Sequence, residues 1–440
     1  MILLAIQQIL RKDPSEEDFF VAAVLVEAGI KNSPSNSTLK IAALDIYSRL
    51  DAASRSWSIY QELQIKHIQL DTCTFLILPV LQCGGYYQEI LKVSKGLLML
   101  HTSVVREATE FMGRAMENGI LSKADEFMFF QREKMTKSLT ALEATGLILD
   151  SAPFFAHDVR DASLGVAHGL VGGEADFDRA TDMVIEVRNP FGALSLLGRT
   201  VNATNLDDIV DNRDLSILSY EILYKRKVAT RDDIIMDSLR RGHNHNLLIR
   251  AALCVHFNKG PKKGKLVKPS EDLSKSCQVL LAGVESAEDF CLQSPDAVYV
   301  ELMHAFLELC RALLVVTSGT GLNDGTDDSL DEREKQTIIQ LSYAASSIKD
   351  ATNNSNFLDG RTDVAFVCRL LPASVVPLFS IFRMVAEVLE TFGWGKRKLK
   401  TKAVAGEFAN VAIEFAVFVK SMLAAFSRYE AYLRLAKCVQ

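Results

Sequence analysis

Leu39, Ala43, Ile46 and Leu50 recur at offsets of four, seven and eleven, and Ile41, Leu44 and Tyr47 make a second apolar row beside them. A helix with two apolar rows needs neighbours on two sides. Its start is written in Ser33-Pro34-Ser35-Asn36. Pro34 keeps the chain non-helical just before it, and Ser35 or Asn36 offers a side-chain oxygen to the unpaired amides of the first turn. After Asp51 a second helix carries Ala53, Trp57 and Tyr60 on one row and Ala52, Ile59 and Leu63 on another, with small residues where two helices approach closely. Gly29 to Thr72 therefore predicts a helical hairpin.

The same punctuation continues along the chain. Phe19, Ala23, Val26 and Ile30 keep helical spacing ahead of the hairpin, and Asp71-Thr72 is placed to cap a helix that stops at Gly84-Gly85. Tyr86, Ile90, Val93 and Leu97 open the next helix; Val104, Ala108, Phe111 and Ala115 give another, ending near Asn118-Gly119. Ser122 to Thr145 predicts one longer helix. Between Gly146 and Gly192 the pattern loosens around Gly165, Gly169, Gly172 and Gly173, and periodicity returns from Ile217 to His256. Strand-type alternation is almost absent, so the fold class is all-α. Residues 1–257 read as a tetratricopeptide-like helical-repeat solenoid, irregular because no clean 34-residue period follows the first hairpin. Residues 258–270, NKGPKKGKLVKPS, are a basic flexible linker. Residues 271–440 predict a carboxy-terminal helical bundle with disordered loops near 317–331 and 353–362. Its last helical regions, 363–392 and 403–437, pair through rows such as Val411, Phe415, Val419 and Met422.

Composition narrows the picture only a little. With 48% hydrophobic and 24% charged residues over 440 positions, the chain is long enough to bury a sizeable core. A net charge of −6 argues against bulk binding of DNA or RNA. The eight cysteines show neither CxxC nor framework spacing and sit mostly on apolar helical stretches, as in a reducing compartment. MILLAIQQIL at the amino terminus lacks the basic region and cleavage site of a secretory signal. The longest apolar run, Ala365 to Phe382, is interrupted by Arg369, Pro372 and Pro377, so no membrane span is expected and the cytoplasm is the default location.

Candidate chemistry is sparse. Gln82-Cys83-Gly84-Gly85-Tyr86-Tyr87 is a near miss to the acetyl-CoA pyrophosphate loop Q/R-x-x-G-x-G/A, with Tyr87 where a small residue is required; a helix stop explains it better. Gly260 to Lys265 is one residue too short for a P-loop, and Leu266 stands where the Mg²⁺-binding Ser or Thr belongs. His243, His245, Cys254 and His256 are zinc-ligand types, yet on one helix His245 and Cys254 lie too far apart for one metal. Neither catalytic, cofactor nor metal residues are therefore assigned. The run Gly395 to Lys402 beside Trp394 offers Lys396, Arg397, Lys398, Lys400 and Lys402 as a possible contact with ribosomal RNA phosphates.

SPSNSTLK, Tyr47, Tyr60, IKHIQLDT (Ile65 to Thr72) and the later DNRDL (Asp211 to Leu215) followed by Tyr220 resemble, in that order, segments of the non-catalytic subunit family of the NatB amino-terminal acetyltransferase. Two departures stand out: Asp51 occupies a turn position where Gly is common, and Cys73 follows Asp-Thr where Leu is common. Members of that family are longer on the amino-terminal side, so the chain is expected to be a shortened member opening inside a repeat array. The resemblance implies a scaffold that is not itself an enzyme. It would hold a catalytic subunit that carries acetyl-CoA, for co-translational acetylation of proteins beginning Met-Asp, Met-Glu, Met-Asn or Met-Gln near ribosomes. Lys66, His67, Gln69 and Asp71 are its partner-contact candidates, while Ile65, Ile68 and Leu70 are expected to pack inward and Asp71 also to cap. The readings from other classes are a helical-repeat adaptor for trafficking or cytoskeletal assembly, and an enzyme built on the His243 to His256 cluster.

Overall fold

The computed structural model describes residues 1–11, 13–50, 52–151, 208–219, 228–257, 271–291, 296–318, 327–354, 370–391 and 401–425. Among these the fold is all-α. They contain no strand, and their one isolated bridge pairs Ser138 with Val210 in parallel. The chain divides into two compact units, Met1–Ser151 with Gly198–Ser238, and Ala152–Leu197 with Leu239–Gln440.

The first unit opens with α1 (Ile2–Ile9), α2 (Glu16–Asn32), α3 (Ser37–Arg49) and α4 (Ala53–Glu62), each packed on the next. Ser15 and Asp18 close a reciprocal capping box on α2, and Asn36 Oδ1 accepts from the Leu39 amide at 3.2 Å to cap α3. The two rows predicted for α3 are buried on both sides: Leu39, Ala43 and Ile46 on one, Leu44 and Tyr47 on the other. Tyr47 Oη donates to Glu27 at 2.6 Å, and Arg55 grips the same carboxylate at 2.7 and 2.9 Å, joining α2, α3 and α4. Arg55 holds the Glu27 carboxyl below its ordinary range against its partial burial. Burial, followed by Glu27, pushes the Tyr47 hydroxyl up to about 12.

Beyond α4 the elements differ from expectation in three places. The helix expected between Asp71-Thr72 and Gly84-Gly85 is α5 (Ile68–Cys73), a 3₁₀ turn at Thr74–Leu76, and α6 (Leu78–Gly84). Its stop is where the sequence puts it: Gly85 takes φ 70° and the Tyr86 amide reaches the Leu81 carbonyl at 2.9 Å. A Cβ on Gly84 would lie 2.7 Å from that of Ala53, the close approach anticipated from the small residues of α4. Next, the two helices expected between Tyr86 and Asn118 are one, α7 (Tyr87–Glu117), because the rows Ile90, Val93, Leu97 and Val104, Ala108, Phe111, Ala115 are in phase and nothing interrupts them. Finally, the single helix expected over 122–145 is broken. α8 (Leu121–Phe129) runs into a π turn at Phe130–Met135, and α9 (Leu139–Ser151) starts afresh. The break has a tertiary cause: the Lys137 carbonyl accepts from the Val210 amide at 2.8 Å, and the Leu139 amide donates to the Val210 carbonyl at 2.9 Å.

In the second unit, α10 (Arg231–Phe257) contributes Leu247, Leu248, Ala251, Ala252, Cys254 and Val255 to a core shared with α11 (Glu271–Cys291), α12 (Ala297–Ser318), α13 (Asp327–Asn354), α14 (Val376–Thr391) and α15 (Thr401–Ala425). α12 is central. It packs against α11, α13 and α14, and Leu302, Met303, Phe306, Leu309, Cys310 and Leu313 are sealed from solvent, while Glu301, His304, Glu308 and Arg311 form a half-buried polar stripe. The two last helical regions do pair, through Phe382 on Phe408 and Phe379 on Phe415, with ring centroids 4.4 and 6.4 Å apart. Val411, Phe415 and Val419 are buried as the row requires.

The division between Ser238 and Leu239 differs from the boundary read at 258–270, which lies outside the described residues. Composition registers the polar run, whereas the division follows the apolar face by which α10 enters the second core. Of the stretches read as disordered loops near 317–331 and 353–362, the ends 317–318, 327–331 and 353–354 belong to α12 and α13, and the rest lies outside the described residues.

Candidate functional site

IKHIQLDT forms the corner between α4 and α5. Gln64 and His67 both adopt left-handed backbone, with φ 54° and 53°, which costs a non-glycine residue of the order of 1–3 kcal/mol. The two bends turn Lys66, His67 and Gln69 outward, and all three are exposed. Ile65 and Leu70 are half-buried, but Ile68 is 41% exposed, so the inward packing expected for it does not occur.

Asp71 is the correction in this group. It is 0% exposed and neither meets solvent nor caps α5, because its carboxyl group faces α7, the start of α9 and the 208–214 segment. Oδ1 accepts from Ser138 Oγ at 2.6 Å and lies 3.0 Å from His101 Nε2; Oδ2 accepts from Asn212 Nδ2 at 2.8 Å. Its backbone carbonyl accepts from Thr140 Oγ1 at 2.9 Å. Asn212 also donates to the Lys134 carbonyl at 3.0 Å, and the Asp214 amide reaches the Thr72 carbonyl at 3.0 Å. The two sequence patches IKHIQLDT and DNRDL thus meet at one buried carboxylate.

The neighbours of this node are themselves fixed. Ser138 Oγ accepts from the Ala141 amide at 3.2 Å, so it caps α9 while donating to Asp71. Arg213 holds Asp211 through two bonds of 2.8 and 2.7 Å and the Ala229 carbonyl at 2.8 Å. Burial raises the Asp211 carboxyl, and the Arg213 hydrogen bonds more than offset it, leaving the group below its ordinary value. Arg231 Nε donates to the Ile209 carbonyl at 3.0 Å.

Asp, His and Ser together invite comparison with a hydrolase triad, but their order here is different. The serine donates to the aspartate rather than to the imidazole, and the other ring nitrogen faces the Met135 carbonyl at 3.1 Å. With Ser138, His101 and Asp71 each at most 1% exposed, the group is a structural joint.

His101, Ser138 and Thr140 were not singled out from the sequence. His101 did carry a signal, since it continues the row Ile90, Val93, Leu97 at helical spacing and a buried imidazole requires partners. Ser138 and Thr140 carried none, because their place depends on the break before α9.

The remaining candidates are not brought to this node. Trp394, Lys396, Arg397, Lys398 and Lys400 lie outside the described residues; Lys402 falls in the first turn of α15. His243, His245, Cys254 and His256 share the continuous helix α10, where nine residues put His245 and Cys254 about 13 Å apart along the axis. Cys254 is buried in the second core, where its hydrogen bond with Cys277 raises it and pulls Cys277 down to about 7. Among the described residues no cluster has the makings of a metal site, and no helix is long and apolar enough to cross a membrane.

Residues 1–146 match the family described as N-acetyltransferase B complex (NatB) non catalytic subunit. The chain is 29% identical over 140 residues to the human N-alpha-acetyltransferase 25, NatB auxiliary subunit, covering 31% of this chain and 14% of that protein. It is 30% identical over 129 residues to the mouse protein of the same name, covering 29% and 13%. To the Caenorhabditis elegans N-terminal acetyltransferase B complex subunit NAA25 homolog it is 24% identical over 142 residues, covering 32% and 15%. The match therefore spans about a seventh of the length of these relatives. A chain of the solved NatB acetyltransferase complex bound to a bisubstrate inhibitor aligns with 93% of this chain and 51% of its own, at TM-score 0.41 and 12% identity. The similarity to the NatB non-catalytic subunit family thus lies in residues 1–146, a third of the chain.

Proposed function

We propose that the chain is a non-catalytic scaffold that holds a catalytic NatB acetyltransferase subunit, in the cytoplasm, for co-translational acetylation of proteins beginning Met-Asp, Met-Glu, Met-Asn or Met-Gln. The observation that carries this reading is the family match of residues 1–146. The structure supports it through form: consecutive helices stack over 1–117, and one corner raises Lys66, His67 and Gln69 from a rigid base. Large continuous surfaces suit a scaffold, and acetyl-CoA belongs to the catalytic partner. Lys66, His67 and Gln69 contact that partner; Asp71 supports them from beneath. The basic residues from Lys396 to Lys402, with Trp394, are offered to the ribosome.

Co-expression of the chain with a catalytic NatB subunit tests the reading. A stable complex on size exclusion is expected, weakened about tenfold by Lys66→Glu, the loss of one charged contact. Recovery of the two proteins as separate species would sink it and leave a helical-repeat adaptor with another partner.

A further inference from the structure

α5 is six residues long, carries no side-chain cap, and follows two left-handed residues. A helix that short does not hold itself together in water, and strained backbone persists only where its surroundings over-determine it. The corner Gln64 to Thr72 must therefore be held from elsewhere. What holds it is the Asp71 carboxylate and its three side-chain donors, from α7, the start of α9 and the 208–214 segment.

We propose that Asp71, His101, Ser138 and Asn212 form a buried polar lock that fastens the 208–214 segment to the corner and positions Lys66, His67 and Gln69 for their partner. The partner half of this statement rests on the scaffold reading above; the lock itself does not.

The ring is held at both ends, Nε2 facing the Asp71 carboxyl group at 3.0 Å and Nδ1 the Met135 carbonyl at 3.1 Å. The same carboxyl group also receives the Ser138 and Asn212 donors, so the buried polar atoms of the lock are satisfied within the fold. Asn212 completes the lock by bridging Asp71 and the Lys134 carbonyl with one amide nitrogen. Thr72 binds the same segment through the Asp214 amide, so the motif's last two residues both engage a stretch about 140 positions downstream.

One measurement on the full chain decides the matter. In hydrogen exchange read by mass spectrometry, Asn212→Ala is expected to speed exchange of peptides covering 64–73 by about tenfold or more, as for a lost buried hydrogen bond, with α2 and α3 unchanged. Exchange over 64–73 indistinguishable from the parent chain would overturn the lock. Ser138→Ala serves as a second, milder variant with the same expected site of change. Binding of the catalytic subunit separates the two readings. Asn212→Ala should weaken it, and intact binding in both Asn212→Ala and Lys66→Glu would remove the corner as a contact while the exchange data still judge the lock.

Discussion

The two compact units are stabilised by different means. The second is organised around α12, whose broad apolar face touches helices before and after it in the chain. The first is tied in addition by polar contacts between its elements: Glu27 with Tyr47 and Arg55, and Asp71 with His101, Ser138 and Asn212. An apolar core rewards volume and tolerates exchange of shapes, whereas a buried polar joint rewards one arrangement only. The unit whose residues match a known family is the one fixed by such joints. Position, more than bulk stability, is what they secure.

The contrast is open to attack by substitution. The largest loss is expected from Asp71→Ala, about 3–5 kcal/mol in urea unfolding, because it leaves the His101, Ser138 and Asn212 side chains without their shared partner. Gly283→Ala comes next at about 1–3 kcal/mol, since the new methyl would press on the Arg250 guanidinium and the Leu247 side chain within the second unit. Leu309→Met in α12 should cost less than about 1.5 kcal/mol, because an apolar core absorbs an equal volume. A loss as large as that of Asp71→Ala would erase the distinction between the units. Asn36→Ala should remove about 1 kcal/mol through the lost cap of α3.

Mild acid gives the smallest effect and acts on one side of the comparison. Glu27 and Asp211, both in the first unit, hold their protons less readily in the fold than their ordinary values of 4.5 and 3.8. Their contribution is complete above those values and disappears as the pH falls through the lower folded ones. Half-exposure of Glu27 keeps its share modest. Acid titration followed by Tyr47 fluorescence should therefore show loosening around α2 to α4 below about pH 4, and an unchanged signal down to pH 2 would contradict it.

Helices announced by local signals were readable in advance. Asn36, Gly85 and the rows of α3 acted where the sequence put them, because caps and periodicity are properties of neighbours in the chain. The break before α9 was not readable: Lys137 and Leu139 give their backbone groups to Val210, more than seventy positions on. Asp71 illustrates the same limit at the site. Its motif could be picked out, but a short polar residue next to an exposed corner looks the same on paper whether its carboxylate faces water or a histidine thirty residues away. His101 shows the converse, a polar residue on an apolar row whose burial could be inferred but whose partners could not.

The distance in sequence between Asp71 and Asn212 also has a consequence in time. Asn212 follows by 141 residues, and at roughly 5–20 residues per second a ribosome takes about 7–28 s to deliver it. Throughout that interval the corner has emerged without one of the groups that seats it, so the nascent chain passes through a stage in which its helices are made and its recognition surface is still unset.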